Sequence, residues 1–214
     1  MRRSLVVLAA GVAVGLALPV PAALADSGSS SLSGGTGSAS GSGGSGSGGS
    51  KPSQAQWLAD IAPIAAAAQT YLTTAIPGAT KPAIVFDIDN TVLETSYNPQ
   101  PIIPAIPAIL AVAQYAKSQG ASVFYVTGRP SLLNVYSQAN LLAVGYPVDG
   151  VYGAGPTTGS SGAAALASYK TATRASIQGQ GYTIVANIGN SDSDLSGGYA
   201  LQTFKLPDYN GALN

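Results

Sequence analysis

The sequence predicts an α/β fold: a central, mainly parallel sheet with helices on both faces, preceded by an N-terminal helical segment. Three observations predict it. The segments "AIVFDID" (83–89), "SVFYVTGRP" (122–130) and "YTIVANIGN" (182–190) are apolar almost throughout, as strands buried on both faces are. Stretches of helical period separate them, so each strand returns through a crossover and the sheet is parallel, a three-layer, Rossmann-like arrangement. Each run also ends in polar or charged residues, at the sheet edge where ligands bind in open α/β sheets. Only 37 residues lie between Asp89 and Thr127, too few for a large cap domain inserted there.

The chain opens with "MRRSLVVLAAGVAVGLALPVPAALADS". A basic start at Arg2 and Arg3, an apolar core over 5–18 and Ala23-Leu24-Ala25 describe a signal peptide over 1–25, cut after Ala25, and hence a secreted, extracellular protein. The core is short for a membrane span and no basic stop-transfer cluster follows, so no integral span is expected once the leader is removed. Residues 26–52 are dominated by Gly and Ser and cannot bury enough apolar surface to offset their ordering entropy; they form a flexible linker. The folded domain is expected over 53–214, enough chain for one real core.

Within that domain, 53–76 reads as one or two helices capped by Ser53 and interrupted near Pro63. After the strand at 83–89, a helix over 106–120 stops at Gly120. The strand at 122–130 leads to a helix over 131–145, with Ser131 as cap and Gly145 at its end. A short strand at 149–155, a helix over 163–181, the strand at 182–190 and an edge strand at 202–207 complete the order. Trp57, the one tryptophan, belongs to the helix's core face.

Composition removes most chemistry. With no Cys there is no disulfide, thiol nucleophile or thiolate zinc site. With no His there is no Ser-His-Asp triad and no imidazole metal site. Loss of Arg2 and Arg3 leaves seven of nine basic residues against nine acidic, a net of −2, which offers nothing to nucleic acid or an anionic membrane. Catalysis therefore rests on carboxylates, hydroxyls, Lys, Arg and metal.

The polar strand ends are Asp87 and Asp89, then Thr127 and Arg129, then Asn190, Asp192 and Asp194, and a parallel sheet brings all three clusters to one edge. Carboxylates gathered there repel one another unless a cation neutralises them, and hard oxygen ligands in an open site point to Mg²⁺. One carboxylate can then attack phosphorus while its neighbour carries the proton. Thr127 offers a hydroxyl and a backbone N–H to the incoming anion, and Lys170 an ammonium.

"DIDNT" after an apolar strand, "VTGR", "YKTATR" and "NIGNSDSDLSGG" stand in the order of the haloacid dehalogenase-like (HAD) superfamily. The chain is most similar there to the secreted acid phosphatases, the group of plant vegetative storage proteins and bacterial class B and C acid phosphatases. "KPAIVFDIDNTVLET", "GYTIVANIGN" and "TFKLPDY" extend the resemblance over roughly 54–209. It implies that Asp87 attacks the phosphoryl group and that Asp89 protonates the leaving alcohol. It further implies that Thr127, Gly128 and Lys170 bind phosphate, and that Asp87, Asp89, Asn190 and Asp194 hold Mg²⁺. The phosphatase branch needs the second aspartate, present here as Asp89. One departure stands out: the family's last motif begins Gly-Asp, whereas this chain has Asn190, an amide that ligates without charge. Asp192 or Asp194 is placed to compensate.

The expected function is thus a Mg²⁺-dependent phosphomonoesterase acting on small phosphate esters through an aspartyl-phosphate. The alternative is a catalytically weak relative that binds phosphate ligands or serves as a storage-like secreted protein.

Overall fold

A computed structural model describes residues 50–158 and 161–213. The leader expected over 1–25, and the linker as far as residue 49, lie outside the described residues. Helix α1 spans Gln54–Ala75, with the Ser53 hydroxyl accepting the Gln56 N–H at 3.2 Å. It is a single helix, not one interrupted near Pro63. Pro63 and Ala59, whose carbonyl loses its helical partner, both lie on the exposed side, where water replaces the missing bond. The opposite stripe of Trp57, Ile61, Ala65, Ala68 and Leu72 is buried and keeps the helix continuous across the break in bonding.

Five parallel strands follow among the described residues: β1 (Pro82–Phe86), β2 (Ser122–Pro130), β3 (Gly150–Ala154), β4 (Thr183–Gly189) and β5 (Gln202–Lys205). Their order is β3-β2-β1-β4-β5, so the chain winds outward from β1 to β3 and then returns to the other side of β1. The switch point falls between β1 and β4, where a crevice opens at the strand ends. Alternation along β1 assigns the two faces. Ile84 and Phe86 join α1 and α2 (Pro107–Ser118) in one core, and Ala83 and Val85 join Ile177 of α4 (Ala163–Gly179) in the other. The three predicted layers are there, and β5 is an edge strand as expected, with β3 at the other edge.

Two local expectations need correction. Ser131 does not cap an α-helix: residues Ser131–Leu133 form a 3-10 turn, and α3 runs Asn134–Ala143. The Asn134 N–H bonds the Ser131 carbonyl, so a tight turn after Pro130 satisfies the backbone where the sequence suggested a side-chain cap. The segment after β4, read as a polar strand end, contains a short helix, α5 (Asp192–Leu195), opened by Ser191.

Candidate active site

Asp87 is the first residue beyond β1, and its N–H bonds the Ile188 carbonyl of β4 at 3.0 Å, so it leaves the sheet at the switch point. One carboxylate oxygen, Oδ1, accepts the Lys170 ammonium of α4 at 2.7 Å. The same Nζ donates to Asp194 Oδ1. All three side chains are buried, at 7% exposure for Asp87, 4% for Lys170 and 2% for Asp194. Burial pushes the Asp87 carboxyl up to about 7, the Asp194 charge adds to the rise, and Lys170 opposes it. Burial works against the Lys170 ammonium too, but its two carboxylate partners outweigh that and hold it above the ordinary lysine value.

Asp194 owes its position to local structure. Its Oδ2 accepts the Ser191 N–H at 2.8 Å, the return bond of a capping box on α5. Its carbonyl accepts from Asn187 Nδ2 at 2.8 Å and Arg174 Nη1 at 2.6 Å. Gly189 makes the approach possible, because a Cβ there would stand 2.3 Å from the Asp194 Cβ. Arg174, one turn beyond Lys170 on α4, spends its fork on the carbonyls of Asp194, Ser196 and Gly198.

Asp89 sits at the rim. Arg129 grips it with Nε at 2.9 Å from Oδ2 and Nη2 at 2.6 Å from Oδ1, and the Thr95 hydroxyl donates to Oδ1 at 2.7 Å. Arg129 Nη1 reaches Ser137 Oγ of α3 at 3.3 Å. Sequence reasoning placed Arg129 at a strand end without giving it a task, and it missed Thr95 and Ser137 altogether. The "SDSD" spacing could have announced the capping box; nothing in the sequence announces the Arg129 contact.

A cavity of about 210 Å³ opens on this edge, lined by Asp87, Asp89, Gly128, Lys170, Asn190 and Asp194 among others, with Leu166 and Leu213 as apolar walls. Thr127 is fully buried beside it, and its hydroxyl accepts the Arg129 N–H at 3.1 Å. Asp192 is not gathered in: its side chain is 97% exposed and lies 4.0 Å from Lys205. Glu94, the third acid of "KPAIVFDIDNTVLET", is buried away from the lining, where Gln54 and Asn98 amides each donate to it at 2.5 Å. Trp57 is core, stacked on Tyr97 at 4.7 Å between ring centres.

The donor set suits a hard divalent cation. Asp87 Oδ2 takes no hydrogen bond from the described residues and belongs to the cavity lining. Asp87 and Asp194 share one ammonium while Asp89 and Arg129 cancel, which leaves one negative charge in excess. Among the described residues no cluster of three or more His, Cys, Asp or Glu is placed to hold a metal, so neutral oxygens must complete any shell, and Asn190 in the cavity lining carries one.

Residues 98–212 match the model of the HAD superfamily, subfamily IIIB (acid phosphatase). The chain belongs to this family. The matched span contains Thr127, Gly128, Lys170, Asn190 and Asp194, while Asp87 and Asp89 precede it. Members of the superfamily generally use a divalent metal ion. Two soybean (Glycine max) proteins, the Stem 28 kDa and Stem 31 kDa glycoproteins, are each 36% identical over 117 residues, 49% of this chain. That stretch is 42% and 36% of their own lengths, so the chain spans less than half of either relative. The class C acid phosphatase of Bacillus anthracis matches in structure with a TM-score of 0.56 and 23% identity, over 68% of this chain and 67% of that one. Its tungstate-bound form gives 0.55 and 22% over the same shares. At that identity the likeness speaks for the fold. Among the described residues no helix is long and apolar enough to cross a membrane.

Proposed function

We propose that this acid phosphatase family member is an exported, Mg²⁺-dependent phosphomonoesterase acting on small phosphate esters. One observation carries the reading: a buried aspartate in the lining of a small cavity, whose Oδ1 is fixed by Lys170 while its Oδ2 takes no hydrogen bond from the described residues. Oδ2 attacks phosphorus, the ester P–O bond breaks, and Asp87 becomes an aspartyl-phosphate. Asp89 gives its proton to the departing alcohol oxygen, then takes one from the water that releases phosphate. Arg129 holds both oxygens of Asp89, so each transfer requires one of those hydrogen bonds to be surrendered. Lys170 neutralises phosphoryl oxygens, and Thr127 and Gly128, near the end of β2, offer a hydroxyl and a backbone N–H. Asp87, the Asp89 carbonyl, Asn190 and Asp194 would hold the cation, which when bound supplies positive charge against the phosphoryl oxygens.

The test is p-nitrophenyl phosphate hydrolysis by the full chain, with Mg²⁺, with EDTA, and with Asp87→Asn. Metal-dependent release that disappears in the variant is the expected result. A second reading, a phosphate-binding or storage-like protein with little turnover, is favoured by the amide at 190 and by the Arg129 fork that occupies Asp89. It predicts that inorganic phosphate binds while no ester is hydrolysed, and that outcome would displace the first reading.

A further inference from the structure

Asn190 has a second partner that phosphoryl transfer does not use. The Leu213 carbonyl accepts two hydrogen bonds, from Asn90 Nδ2 at 2.9 Å and from Asn190 Nδ2 at 2.8 Å. Both asparagines are buried, and they come from opposite sides of the switch point: Asn90 follows Asp89 beyond β1, and Asn190 is the first residue after β4. The segment they grip runs on from β5. It is tied at its start by the Leu206 N–H to the Gly189 carbonyl at 2.8 Å and at its end by the Leu213 N–H to the Asp208 carbonyl at 3.1 Å. Leu213 is buried and lines the cavity.

We propose that Asn90 and Asn190 are positioning residues that clamp the 207–213 segment in place as a wall of the active-site cavity. On this assignment, residue 190 is an amide because the wall needs a donor there. Each asparagine uses its oxygen elsewhere: Asn90 Oδ1 accepts the Ser96 N–H at 2.9 Å, and Asn190 Oδ1 accepts the Thr91 hydroxyl at 3.1 Å. An aspartate at either position would keep that acceptor and turn only the donor into an oxygen facing the Leu213 carbonyl oxygen. In a buried setting, such a change replaces attraction with repulsion and leaves the carbonyl one partner short. The missing carboxylate at 190 therefore has a structural counterpart in the same network. The clamp stands on geometry alone; only the identity of what the wall encloses, a phosphate group, rests on the phosphatase reading.

Three full-chain proteins test it: Asn90→Asp, Asn190→Asp, and a form lacking residues 210–214, which removes the wall without adding charge. Amide hydrogen exchange at Ala212 and Leu213, followed in EDTA, reads the wall independently of any turnover. Each aspartate variant should exchange there about tenfold faster or more, as expected when a buried hydrogen bond is lost, while β1 and β4 keep wild-type protection. Unchanged protection at 212–213 in both variants overturns the clamp. Inorganic phosphate, titrated calorimetrically with Mg²⁺, should bind Asn90→Asp and the shortened form several-fold more weakly. Wild-type affinity in both overturns the wall. Should the shortened form fail to fold, Asn90→Asp decides alone. Should wild type bind no phosphate, the phosphatase reading falls, and the exchange data still decide the clamp.

Discussion

Asp87 and Asp89 stand two residues apart in one turn, each paired with a cation, and their settings differ in nearly every other respect. Asp87 is 7% exposed and shares Lys170 with a second buried carboxylate, whereas Asp89 is 36% exposed and has the Arg129 fork to itself. The partners explain the difference. Lys170 comes from α4 and is buried with both of its carboxylates; Arg129 stands near the end of β2 and is, like Asp89, more open to solvent. One carboxylate is thereby pinned with an oxygen left for attack. The other is held in a contact that can be exchanged, which suits a proton carrier. Buried charges without full compensation are expensive, while half-exposed ion pairs contribute little to stability, so the two pairs should respond differently when broken.

The largest effect is expected from Lys170→Met. It leaves Asp87 and Asp194 side by side without a cation, which should cost about 3–5 kcal/mol in urea unfolding and abolish phosphate release. Added Mg²⁺ should recover part of the stability. A loss below about 1 kcal/mol would mean that the buried pair is no more demanding than the rim pair.

Asp89→Asn comes next. It keeps the shape of the rim and removes the proton carrier, so kcat should fall roughly 10²–10⁴-fold with KM little changed. Unfolding should shift by no more than about 1 kcal/mol. A large stability loss would erase the contrast between the two aspartates.

Arg129→Lys is a milder change. Lysine keeps the charge but cannot present two parallel donors, so kcat should drop about tenfold at near-wild-type stability. Full activity would mean that the fork does not orient Asp89.

The smallest effect is a pH trend. The Asp87 carboxyl titrates at about 7 in the folded protein against an ordinary 3.8, so the folded state holds its proton more tightly than the unfolded state does. Its contribution is complete below about 3.8 and is lost as pH rises through 7. The melting temperature of metal-free protein should therefore decline between about pH 4 and 7 more steeply than that of Asp87→Asn. Parallel curves would show that Asp87 is better solvated than its burial implies.

Much of this was legible beforehand. Apolar runs such as "AIVFDID" announced buried parallel strands, because a strand covered on both faces has no polar side to show. Their polar ends announced a shared edge, and Asp87, Asp89, Lys170, Asn190 and Asp194 do line one cavity there. Pro63 misled because a missing N–H is costly only where water cannot reach the orphaned carbonyl, and exposure is not written in the local sequence. Asp192 and Asp194 looked equivalent as neighbours of Asn190. The first turn of α5 points one inward to Lys170 and leaves the other in solvent.

By itself, then, the sequence determined the architecture and the chemical repertoire: alternating apolar strands and amphipathic helices specify a doubly covered parallel sheet, and a chain without His or Cys must work with carboxylates, amides and cations. The tertiary structure alone decided who pairs with whom. Lys170 meets Asp87 across 83 positions, Arg129 meets Asp89 across 40, and Asn90 meets the Leu213 carbonyl across 123. The physical reason is that periodicity reports which way a side chain faces over one or two turns. A hydrogen bond between distant segments depends on the register of strands and the length of connections, which only the assembled sheet sets.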